Sequence, residues 1–175
     1  MIENMQDIDK IIGNMLLKQS GLNRQNIVNG LSVRGPELSK FITETVKQSY
    51  DLTDVVIIFE RVALDESNTN IDETEVDDSI RESIAEKISI NIYGNQSFAM
   101  AKTLKARFES EKVREDLLDS GIHLMQVTNV DTLNEFMNER LWHRASFDLE
   151  IAYEISVNQI DLPYSIEKTD INFED

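Results

Sequence analysis

Residues 141–157 read LWHRASFDLEIAYEISV, and from Ala145 onward almost every second residue is apolar while its neighbours are polar or small. Side chains alternate along a strand, so Ala145, Phe147, Leu149, Ile151, Tyr153, Ile155 and Val157 fall on one face. Arg144, Ser146, Asp148, Glu150, Ala152 and Glu154 fall on the other. A strand this long has to cover its dry side. Its acidic side has to meet solvent or a partner, and we read that side as functional surface rather than core.

Charge sharpens that reading. The chain has 175 residues, with 33 acids against 17 lysines and arginines, for a net charge of −16. Such a surface repels nucleic acid and attracts cations or basic partners, which argues against sequence-directed DNA binding. Its length suits one domain around one core. Cysteine is absent, which removes disulfides, thiolate zinc sites and a cysteine nucleophile. The longest apolar run, Val55 to Phe59, is far short of the ~18 residues that span a bilayer. Acids precede any apolar stretch at the N-terminus, unlike a secretory signal. These features indicate a soluble intracellular product with no membrane partner.

Helices come first. Ile8, Ile11, Ile12, Met15 and Leu16 recur at helical spacing, and Gly21 closes the stretch. Asn23 is placed to cap a short helix carrying Ile27, Val28 and Leu31. Gly35-Pro36 starts a third, with Leu38, Phe41, Ile42, Thr45 and Val46 inward. Residues 51–64 then read as a strand around a β-branched and aromatic run. Between 65 and 82 eight acids face Arg81 alone, so this stretch is expected to be a mobile excursion. Its tail, 79–87, suits either a helical turn or an extension of the next strand.

Residues 88–93 alternate as a second strand ending at Gly94. Asn95 or Ser97 caps a helix toward Ser110, with Phe98, Ala101, Leu104 and Phe108 inward. A broken continuation, 111–120, stops at Gly121. Residues 122–130 form the third strand, 131–137 a loop or short helix, and the alternating segment the fourth strand. The expected fold is α+β: N-terminal helices, then a β-β-α-β-β core with one mostly antiparallel four-stranded sheet on a helical layer. We divide the chain into one domain, 1–160, and an acidic tail, 161–175, ordered by a partner.

Candidate chemistry is sparse. His123 and His143 lack any accompanying serine or second histidine and read as structural or surface groups. Pairs such as Asp77-Asp78 and Glu115-Asp116 read as solvated charge runs. Asp148 and Glu150 would lie roughly 7 Å apart on one strand face. That spacing suits a divalent cation only if other oxygens join it, so a metal hydrolase is the weakest of three readings. Gly94-Asn95 lacks the pattern of a phosphate loop. Trp142 suits the core, the sheet end or a subunit contact. No catalytic residue, metal site or cofactor is assigned.

The segment ISINIYGNQSFAMAKTLKARF, the GIHLMQV strand and then RASFDLEIAYEISV together resemble the tail terminator and neck proteins of long-tailed bacteriophages. The resemblance covers about 55–157, rests on Tyr93-Gly94, Arg144, Phe147 and Tyr153, and departs in its long excursion at 65–82. It implies a non-enzymatic virion protein, assembled in the host cytoplasm as a hexameric ring. Such a ring caps the tail tube on one side and meets the head-completion or connector protein on the other. DNA passes through without specific binding. Under that reading Asp148, Glu150 and Glu154 face the lumen. Asp72, Glu73, Glu75, Asp77 and Asp78 form a loop between rings or subunits, and Arg140, Trp142 and Arg144 make the subunit contact. The alternative is an acidic DNA mimic or adaptor that occupies a basic partner.

Overall fold

Two long strands, β4 (Ser79–Tyr93) and β7 (Arg140–Asn158), pair antiparallel from Ser79↔Asn158 to Tyr93↔Arg144 and form the spine of the molecule. The computed structural model describes residues 5–30, 36–46, 51–63, 71–72, 79–137 and 139–158. Around the spine lie α1 (Met5–Ser20), a single 3-10 turn (Arg24–Asn26), β1 (Ile27–Asn29) and α2 (Pro36–Thr45). The remainder are β2 (Val56–Ala63), β3 (Ile71–Asp72), α3 (Ser97–Phe108), α4 (Glu111–Asp119), β5 (Ile122–Val127) and β6 (Asp131–Met137).

The sheet runs β1-β2-β4-β7-β5, with β3 added to β4 and β6 added to β7. All pairs are antiparallel except β1 with β2. The class is the expected α+β, but among the described residues seven strands replace the expected four. Three differences account for the gain. Ile27 and Val28 do not continue a helix; they pair in parallel with Ile57 and Ile58, as β-branched residues do when an edge is open. The 3-10 turn before them is tied down by Asn26, which donates from Nδ2 to the Val55 carbonyl at 2.9 Å. Residues 79–87 extend β4, and 71–72 pair with it, so the excursion is strand at both places. Residues 131–137 are a strand, not a loop or helix.

One sheet face carries the main core. Ile88, Ile90, Ile92, Phe147, Leu149 and Ile151 pack there with Ile8, Ile12 and Leu16 of α1, Leu104 and Phe108 of α3, and Leu117 of α4. Burying side chains of this size contributes roughly 1.5–3 kcal/mol each. Phe98 is not among them. It is 48% exposed, with the Lys102 ammonium 5.5 Å from its ring centroid. The buried stripe of α3 is Ser97, Met100, Ala101, Leu104 and Phe108, which turns Phe98 outward. The residue before this helix is Gln96, and it makes no side-chain cap.

Among the described residues the opposite face is dry at one end only. There α2 lays Ile42 and Val46, with Leu38 and Phe41 beside them, over Val56, Ile58, Tyr93 and Trp142. This explains why Val55 to Phe59 is apolar without alternation: β2 is buried on both sides. The tail at 161–175 lies outside the described residues.

Candidate assembly surface

The β6–β7 hairpin overhangs the sheet. Its two strands pair from Asp131↔Ser146 to Met137↔Arg140, whereas the β4 ladder begins only at Tyr93↔Arg144. The turn is tight, and Glu139 takes a left-handed φ of 63°, as short hairpin turns require. Beyond Arg144, among the described residues, the hairpin has β6 and β7 alone. Phe136 and Leu141 face each other across it and are 70% and 60% exposed. Leu133 is half exposed on the other side of the ribbon. Three large apolar side chains are thus exposed on one hairpin, two of them on the same face.

The base of the hairpin is held by a polar cluster. Arg144 donates from Nε and Nη2 to the Asn91 Oδ1 at 3.1 and 2.6 Å, and from Nη1 to the Glu135 Oε2 at 3.1 Å. The Tyr93 hydroxyl donates to the same Glu135 oxygen at 3.1 Å. Burial pushes the Tyr93 phenol up to about 12 despite the opposing Arg144 charge, and Glu135 adds to the rise. Gly94 completes the anchorage. Its N–H donates to the His143 carbonyl at 3.0 Å. Its φ is 132°, and a Cβ there would lie 3.1 Å from Val55 Cγ1 and 3.2 Å from the Asp54 carbonyl oxygen, so glycine is needed.

Further along β7 the same face turns polar. Asp148 lies 3.4 Å from the Lys87 ammonium. Glu150 is half-buried, Glu154 is exposed, and all three share the face opposite α1, α3 and α4. Among the described residues no three His, Asp or Glu side chains converge to hold a metal. His123 is exposed on β5, and His143 is exposed with its Nδ1 3.0 Å from Asn134 Oδ1.

A model of the phage neck terminator protein family matches residues 6–175, nearly the whole chain. The chain belongs to that family. No curated protein matches it. Its role is therefore structural, in the tail or neck of a phage virion.

Within this neck terminator the sequence-derived candidates scatter. Arg140 is exposed near the hairpin turn, Arg144 locks the hairpin base, and Trp142 is 4% exposed inside its own chain. Asp72 lies in β3 opposite Arg81, while Glu73, Glu75, Asp77 and Asp78 lie outside the described residues. Phe136, Leu133 and Leu141 went unread in the sequence. No periodicity points to them, since they lie in a segment with no consistent dry face just before a strongly alternating strand.

Proposed function

We propose that this neck terminator assembles as a six-membered ring that ends the tail tube and presents a docking surface to the head's connector. The row Asp148, Glu150 and Glu154, on the face turned from the main helical layer, carries this reading. A polyanion crossing a channel must not adhere, and a wall of carboxylates in a chain of net charge −16 repels phosphate. In the ring this face lines the lumen. Arg140 and Arg144, backed by the buried Trp142, lie at the boundary between subunits. The acidic stretch 72–78 reaches a neighbouring subunit or ring, and assembly takes place in the host cytoplasm.

The test is particle mass and behaviour. Added to tail tubes, the 20.1 kDa chain is expected as a cap of six copies that halts tube growth in negative-stain images. Asp148→Lys with Glu150→Lys is expected to leave the monomer folded and to make assembled particles retain DNA at low salt more than at high salt. One or two copies that bind a basic partner and leave tubes to lengthen would support the DNA-mimic reading instead. Normal genome passage by the double variant at both salts would remove the lumen assignment.

A further inference from the structure

The hairpin and a groove at the far end of the same strand are complementary. Near the start of β5, Leu118, Gly121, Ala152, Ser83 and His123 line a groove of about 460 Å³, with Glu154 on its rim and the buried Tyr153 beneath it. Leu118 is 58% exposed there, and the exposed Asp119 follows it. The hairpin offers what this groove lacks: Phe136 and Leu141 on one face and the exposed Arg140 on the other. Leu141 and Glu154 are about 40 Å apart along β7 at ~3.3 Å per residue, so one molecule cannot satisfy itself.

Strand addition is the other way to cover this edge, and two cations oppose it. Arg114 donates from Nη1 to the Leu124 carbonyl at 2.7 Å, and Lys105 from Nζ to the Val127 carbonyl at 3.4 Å. With those β5 carbonyls occupied, the outer edge of β5 beyond the groove is closed to backbone pairing.

The geometry points to a second copy of this chain as the occupant: Phe136 and Leu141 of one protomer seat against Leu118 of the next, and Arg140, on the other face of the ribbon, meets Glu154 on the other face of the sheet. This deepens the ring reading above and rests on it. Donor and acceptor are different patches of one molecule, so the contact is heterologous. Repeated, it closes into a ring or runs on as a filament. Glu154, last in the acidic row, then stands where the wall of one subunit meets the next.

The chain has no cysteine, so Phe136→Cys with Leu118→Cys adds the only thiols. Treated with a short bismaleimide on tail tubes, that double variant is expected to give a ladder of linked subunits, and either single variant only monomer. Caps that assemble with no ladder overturn the hairpin contact and leave the ring standing. Linked dimers from Phe136→Cys alone show tip-to-tip pairing and overturn it equally. A wild-type chain found on tubes as a single copy overturns both readings. If the cysteine pair blocks assembly, charge exchange decides. Arg140→Glu and Glu154→Arg should each lose the ring, and their combination should restore it; failure to restore refutes the contact.

Discussion

Arg144 and Asn91 are joined by two hydrogen bonds to a single amide oxygen, one guanidinium gripping β4 from β7 at the point where the hairpin leaves the sheet. Asn91 is buried, so its oxygen has few other donors. Arg144→Met removes these bonds and leaves Glu135 to the Tyr93 hydroxyl. The expected loss is about 1–3 kcal/mol of stability. Faster amide exchange is expected in residues 131–143 than in the rest of the sheet. Unchanged exchange in the hairpin would show that backbone pairing alone holds it.

Leu149 is fully buried in the main core. Leu149→Ala should cost roughly 2–5 kcal/mol, read as a lower denaturant midpoint with an unchanged slope. A folded, soluble Leu149→Asp would mean that the faces of β7 had been assigned in reverse.

Arg114→Met leaves the Leu124 carbonyl without its guanidinium. The direct loss is about 1 kcal/mol. The larger expected effect is association through β5, seen as concentration-dependent light scattering in the variant and not in the parent chain. Equal scattering at all concentrations would mean that the arginine does not guard this edge.

The Tyr93 phenol, raised to about 12 by burial, makes stability depend on alkali. The folded state holds the phenolic proton more tightly than the unfolded state, whose phenol titrates near 10. Its contribution is complete below pH ~10 and is lost as pH climbs through 10 toward 12. Denaturant midpoints measured at pH 9 and pH 11 should fall further for the parent protein than for Tyr93→Phe. Parallel declines would place the phenol in contact with water.

What the sequence revealed follows from which residues are buried on one side only. Ala145 to Tyr153 alternate because one face meets α1, α3 and α4 and the other does not, and the strand, its dry face and its acidic row were all legible. The stripe of α1 was legible for the same reason. β6 was not: Leu133 and Phe136 lie on opposite sides of an overhanging ribbon, both exposed, so no burial pattern marks them. β1 is three residues on an edge, fixed by a partner thirty positions away. Phe98 misled because an aromatic in a helix suggests core, and its one-position offset from Ser97 decides the opposite. Of the assembly surface, Arg140 and Arg144 were read and the apolar tip between them and Leu133 was not.

β7 also answers a mechanical question. β4 lies along it in unbroken register for fifteen residues, so tension directed down the strand loads that whole ladder at once, in shear. The hairpin is attached differently: pulled sideways at its tip, the β6 ladder opens one pair at a time. A load arriving at Phe136 and Leu141 therefore meets a compliant hinge, while the same load carried along β7 meets a stiff beam. In the ring proposed above, such a part would yield at the joints between subunits and keep its body rigid.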